Sequence, residues 1–153
     1  MSRISNWCAV LLLTASTAFG GHEKQEIKYV LDVSHNLAYR GGKVSVDHKF
    51  GKIVVRTHSG RTVLVKGAIR SSSPEFGRQI RVSATESGNG VTVKTGYPST
   101  KKINHLSFSV DYDITVPEKA SLDLHNRFGP VDVSGVKGAS EISNAHGSVV
   151  TRN

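Results

Sequence analysis

The chain has 153 residues, 37% of them apolar and 21% charged, with a formal net charge of +8. That length fits one domain with a narrow core, since large aromatics are few. Its one cysteine, Cys8, lies in an N-terminal segment that reads as cleaved, which excludes a disulfide, a thiol nucleophile and a cysteine-based metal site from the remainder.

The first element is an export signal over residues 1–20. Met1-Ser2-Arg3 carries one positive charge, an apolar run extends from Trp7 to about Phe19, and Ala18 and Gly20 take the small-residue positions before a cut at Gly21. The run is short of the ~20 apolar residues of a membrane span. Cys8 is no lipidation site, because it sits too early and follows Ile4-Ser5-Asn6-Trp7. Cleavage removes Arg3 and no acid, leaving +7. The expected location is the periplasm or cell surface of a bacterium. A positive domain there attracts anionic head groups or polysaccharides over long range, although such charge more often only keeps a domain soluble.

Residues 21–27 are polar and read as a flexible lead-in. From Lys28 the dominant pattern is period-two alternation, the mark of half-buried strands. It is clearest over Leu106–Val116, and Pro117 is expected to end that strand. Shorter strands are predicted at Val44–Val46, Ile53–Thr57, Thr62–Val65, Gln79–Ala84 and Gly90–Lys94. Others follow at Ser121–Leu124, Val131–Val133, Glu141–Ile142 and Ser148–Thr151. Gly41-Gly42, Ser59-Gly60, Ser87-Gly88-Asn89-Gly90 and Val136-Lys137-Gly138 supply turns. Residues 71–79 hold one helical turn or a loop, and no amphipathic helix is predicted beyond the signal.

An internal repeat organises these strands. Lys49-Phe50-Gly51-Lys52-Ile53-Val54-Val55 matches Arg127-Phe128-Gly129-Pro130-Val131-Asp132-Val133, and Ala145-His146-Gly147-Ser148-Val149-Val150-Thr151 is a weaker copy. Gly129 and Gly147 are 18 residues apart, with a short strand near Ile142 between them. Such a period with two short strands predicts an all-β solenoid whose coils bury their apolar faces against each other. The last coil has no polar cap, so the solenoid is expected to be incomplete at its C-terminal end, covered by a partner or cut from a longer protein.

Gly42-Lys43-Val44-Ser45-Val46-Asp47, Phe50–Val55, Ser109–Pro117, Leu122–Val133, Gly135–Gly138 and Ile142–Gly147 together resemble the putative-adhesin domain family. These are bacterial exported β-strand-repeat domains. The resemblance covers residues 28–153 and implies a right-handed β-helix-like solenoid in the periplasm or at the surface. It carries over no catalytic residue and no cofactor.

The candidate chemistries are weak. His22, His35, His48, His58, His105, His125 and His146 include no pair at ligand spacing, and His125 and His146 fall at different places in the repeat. Asp111 and Asp113 share one strand face, but alternation with Val110, Tyr112 and Ile114 makes that the wet side. There is no Gly-x-Ser-x-Gly elbow and no phosphate-binding glycine loop. Lys49, Lys52, Arg56, Arg61 and Lys66 cluster around the first repeat as a candidate polyanion surface, against the reading that such charges guard exposed sheet edges. Phe50 and Phe128 are expected to stack in the core rather than to hold a ligand.

The expected function is non-enzymatic: adhesion or scaffold-type interaction, with a glycan- or polyanion-binding β-helix, less readily a glycan-cleaving one, as the alternative. No cofactor and no specific nucleic acid are expected. The expected partner is an envelope protein or an anionic glycan or lipid head group, with self-association through the C-terminal coil edge.

Overall fold

The computed structural model describes residues 25–88 and 90–153; the signal read at 1–20 lies outside them, as do residues 21–24 of the lead-in. Among the described residues the elements run β1 (Tyr29–Ala38), β2 (Lys43–Asp47), β3 (Ile53–His58), β4 (Thr62–Ser71), α1 (Pro74–Gly77), β5 (Arg81–Ser87) and β6 (Gly90–Gly96). They continue as β7 (Phe108–Pro117), β8 (Ser121–Phe128), β9 (Val131–Ser134), β10 (Ser140–His146) and β11 (Val149–Arg152).

The strands form two mixed sheets. One has the order β1-β4-β7-β3-β9-β11 and the other β10-β8-β2-β6-β5. Three successive strand pairs, β2–β3, β8–β9 and β10–β11, each place their first strand in one sheet and their second in the other. We call these arches. They stack in register, so β2, β8 and β10 pair parallel, and so do β3, β9 and β11.

Alternate residues of both sheets point into the space between them. Val44, Val46, Leu122 and Leu124 face Ile53, Val55, Val131 and Val133 there, all at most 3% exposed. Each such side chain contributes about 1.5–3 kcal/mol by burial, and the core continues under β4, β6 and β7 through Val65, Ile69, Val93, Tyr112 and Ile114.

The expected closed winding of a solenoid is not what the sheets form. Both stay open, and β1, β4 and β7 pair antiparallel, as do β5 and β6. The reason lies in the connections. β5 and β6 are joined by the tight turn after Ser87, which makes a hairpin, whereas a parallel neighbour needs a crossover. The repeat therefore governs the arches and not the strands outside them.

The structure adds one strand, lengthens another and decides between the two readings of residues 71–79. β1 was not singled out, although it pairs along the whole of β4. β4 runs on to Ser71 because Val63, Val65, Gly67, Ile69 and Ser71 keep alternating inward. Residues 71–79 do hold a helical turn, α1, whose first N–H groups are met by Ser73: its Oγ accepts from Phe76 N–H at 3.3 Å.

The two ends of the sandwich differ. At the β1/β5 end the sheets are tied together by Ala38 N–H donating to Glu86 Oε1 at 3.0 Å, and α1 drives Phe76 into the core at 1% exposure. At the β10/β11 end nothing among the described residues covers the last arch.

Candidate interaction surface

Each arch turns its corner on a glycine in the left-handed half of backbone space: φ is +138° at Gly51, +123° at Gly129 and +138° at Gly147. The corners touch through their backbones. Gly51 N–H donates to Phe128 O at 3.0 Å, and Gly129 N–H to His146 O at 2.9 Å. A Cβ on Gly129 would run into the carbonyl oxygen of Gly51, and one on Gly147 into that of Gly129. Only glycine allows that approach. Beside them the rings of Phe50, Phe128 and His146 form a column, with centroid spacings of 5.4 and 4.9 Å and planes within 7°. Phe50 packs further on Tyr97 and Phe108. Phe128 stacks as expected but remains 40% exposed.

One step below the corners runs a polar rung, buried at His48 and Asn126 and half-buried at Thr95 and Asn144, that the sequence reading missed. Its members are Thr95 in β6, His48 after β2, Asn126 in β8 and Asn144 in β10. His48 N–H donates to His125 O, which fixes the register, and Nδ1 of His48 lies 3.1 Å from Thr95 Oγ1 and 3.3 Å from Tyr97 OH. Thr95 Oγ1 in turn lies 2.6 Å from Tyr112 OH. Burial pulls the His48 imidazole down to about 4, pushes the Tyr112 phenol up to about 12, and raises that of Tyr97 as well. Burial thus favours the neutral form of each of these groups at neutral pH. The visible signal was the Asn-x-x-Gly spacing of Asn126 and Asn144, with His48 three residues before Gly51 in the same place.

Across the arches, side chains in the same row meet different surroundings. Ile53, Val131 and Val149 occupy equivalent positions in adjacent strands, yet they are 0%, 1% and 45% exposed. In the other sheet Val46 and Leu124 are each 1% exposed, while their row-mate Ile142 is only partly buried. Val150, on the outer face of β11, adds a further 38% exposed apolar residue. Between the two sheet edges lies an open hollow of about 700 Å³ lined by Val133, Val136, Ile142, Val149 and Thr151. Core-type side chains are thus presented between two strand edges that have no neighbour among the described residues.

The candidate cationic residues do not form one site. Lys52, Arg56 and Lys66 line a hollow of about 540 Å³ on the outer face of the six-stranded sheet, but Asp32, Asp111 and Asp113 are interleaved with them. Arg56 lies 3.5 Å from Asp113, and Arg70 lies 3.4 Å from Asp111. Asp111 Oδ1 also accepts from Lys52 N–H at 2.9 Å. Arg61 sits apart, in a hollow of about 510 Å³ with Tyr39, Arg40, His58 and Lys119. Lys49 is exposed beside the Phe50 corner. The two histidines weighed as ligands are separated too: His125 Nε2 lies 2.9 Å from Asp123 Oδ1 on the outer face, and His146 stacks on Phe128.

No family model matches the chain, and no curated protein matches it in sequence. Solved structures do resemble it. One is a putative cell adhesion protein from Clostridium sporogenes, 15% identical with a TM-score of 0.50, where the match covers 79% of this chain and 59% of that one. Another is a putative adhesin from Bacteroides fragilis, 13% identical with a TM-score of 0.46, covering 82% of this chain and 56% of that one. The chain therefore spans less than two thirds of either structure's length, and the likeness to the first is one of fold.

Proposed function

We propose that the chain is an exported, non-enzymatic, adhesin-like domain of the bacterial envelope, and that it meets its partner through the open end of the stacked arches. The observation that carries this reading is the exposure of Val149, which holds a core position of the repeat yet lacks the neighbour that covers Val131 and Ile53. A strand pair added there would extend both sheets through main-chain hydrogen bonds and cover the apolar hollow, the physics of recognition by strand addition. In this reading the three arches act as turns of a right-handed solenoid-like winding, and the partner supplies the next one. The N-terminal pattern supports export, and the fold likeness to a structure called a putative cell adhesion protein supports a surface role.

The test is a labelled peptide of residues 122–134, one complete arch, titrated into the purified chain. Binding that is lost with Val149→Lys supports the reading; no binding to the unmodified chain contradicts it.

The second reading gives Lys52, Arg56 and Lys66 an anionic glycan or lipid head group to hold. Among the described residues Lys52 and Lys66 make no side-chain ion pair, which favours it. The interleaved aspartates lower the local potential, so such binding would be weak and lost at moderate salt. Lys49 and Arg61 are too far around the molecule to join the same ligand-binding hollow.

A further inference from the structure

We propose that the end of the sandwich opposite the glycine corners carries a binding site for a phosphate monoester borne on a sugar, held by Arg40, Arg61 and Lys119. No residue lining this site belongs to β10 or β11, so it stands independently of the open end.

The topology builds the hollow. β4 and β3 lie on either side of β7, so residues 59–61, which join them, must cross the end of β7 at Pro117. His58 closes that crossing: its Nε2 lies 2.7 Å from Thr62 O, and its Nδ1 accepts from Gly60 N–H at 3.3 Å. Both ring nitrogens are spent within the loop, so His58 shapes the hollow and leaves ligand binding to its neighbours. Tyr39 N–H donates to Arg61 O at 2.9 Å, Glu118 N–H to His58 O at 3.3 Å, and Lys137 N–H to Glu118 O at 2.7 Å. Main-chain bonds thus fasten the β1–β2, β3–β4, β7–β8 and β9–β10 loops to one another. The Tyr39 hydroxyl is fixed as well, donating to Gly42 O at 2.6 Å. The hollow these loops enclose has a volume of about 510 Å³, the size of a small-molecule site.

Its charge is one-sided. Arg40, Arg61 and Lys119 line it, are exposed, and make no ion pair among the described residues. The one acid in the lining, Glu118, is already met by Lys137 Nζ at 2.8 Å. Glu86 is nearby, but it accepts from Ala38 N–H and does not line the hollow. This is the reverse of the Lys52 hollow, where aspartates separate the cations.

The chemistry of the lining selects the ligand. Two guanidinium forks suit an oxyanion that can be gripped at two oxygens at once. A phosphate monoester brings about −1.5 to −2 charges and three acceptor oxygens at neutral pH, which matches three cations better than a singly charged carboxylate. A bare phosphate is far smaller than the hollow. Tyr39 and Pro117 give the remaining space an apolar wall, and Ser59 adds a hydroxyl. A sugar ring, with C–H groups and hydroxyls together, suits that mixed lining.

The test is isothermal titration calorimetry on the full chain at low salt, with glucose 6-phosphate, inorganic phosphate and glucose as probes. Glucose 6-phosphate is expected to bind more tightly than either of the others. Arg40→Gln and Arg61→Gln should each weaken it by at least about tenfold, the loss expected for a charge-assisted bond. Neither side chain makes a hydrogen bond among the described residues, so both variants should melt with the unmodified chain. Lys94→Gln removes an equal charge from an exposed position of β6 and should leave binding unchanged. Failure of glucose 6-phosphate to bind, equally tight binding of inorganic phosphate, or an equal loss in Lys94→Gln overturns the site. Phosphatidylcholine vesicles containing phosphatidic acid present the same monoester on a lipid. Capture by those vesicles, lost in Arg61→Gln and without affinity for glucose 6-phosphate, would assign the phosphate to a membrane surface and overturn the sugar.

Discussion

Asn126 and Asn144, 18 residues apart in sequence, both donate their side-chain amides to the carbonyl oxygen of Gly129, at 3.2 and 2.9 Å. Asn126 also reaches Gly51 O at 3.2 Å, so it ties its own arch to the one before, while Asn144 ties the last arch to the middle one. The sharp corners leave these carbonyls pointing into the sandwich, where each needs a donor. Asn126→Asp replaces that donor with an acceptor. It should destabilise more at neutral pH than Asn126→Ala, which is expected to cost about 1–3 kcal/mol for the unmet carbonyls. Urea melts at pH 7 would show the order; an Asp variant as stable as the Ala variant would contradict it.

Gly129→Ala tests the corner itself. At φ +123° an added Cβ is strained, and it would also strike the Gly51 carbonyl. The expected loss is at least about 2 kcal/mol. Gly41, also at positive φ but with open space around it, should tolerate the same change at lower cost. Comparing the two denaturation midpoints separates the clash from the backbone strain.

His48 makes stability depend on pH. Its folded value of about 4 lies below the ordinary 6.5, because burial disfavours the cation. The unfolded chain therefore binds more protons between those values, and stability must fall as the pH drops from about 6.5 to 4. A shift of that size corresponds to about 3 kcal/mol. His48→Asn, which places the repeat's own residue on the rung, should flatten this part of the curve. Equal slopes for the two proteins between pH 6.5 and 4 would count against a neutral, buried His48.

Asp132→Asn removes the partner of Arg152 on the outer face of β9 and β11. Both side chains are substantially exposed, at 35% and 62%, so the loss should stay below about 1 kcal/mol. It should also shrink in high salt. A larger, salt-independent loss would mean that the pair is buried in solution, as by a partner covering that face.

Much of the fold was legible because strands facing a two-layer core alternate strictly, as in Val44–Val46, Ile53–Val55 and Phe108–Val116. The corners were legible from the repeated glycines. β1 was not, because the adjacent apolar pair Val30–Leu31 breaks the alternation, and pairing with β4 decides it instead. The mixed sheets were hidden for a related reason: β1, β4 and β5 carry no copy of the repeat, so a reading built on the repeat extended its winding to strands that pair antiparallel. The polar rung was missed because the repeat was anchored on Phe-Gly, which begins two residues after His48. The cationic residues looked like one surface in sequence, but β3 and β4 are separated by β7, which brings Asp111 and Asp113 between Lys52, Arg56 and Lys66. The open end could not be recognised from side-chain pattern, since Val149 alternates just as Val131 does. Only the missing neighbour distinguishes them.

The most direct test of the open end is amide hydrogen exchange, followed residue by residue with and without the peptide of residues 122–134. Thr151, Val149, Ile142 and Asn144 have N–H groups facing that end, whereas the amides of Leu122 and Val131 are bonded within the stack. The account predicts that the first four exchange rapidly in the chain alone and become protected when the peptide of residues 122–134 is bound, while Leu122 and Val131 stay protected throughout. Unchanged, rapid exchange of those four amides with the peptide in excess would contradict it.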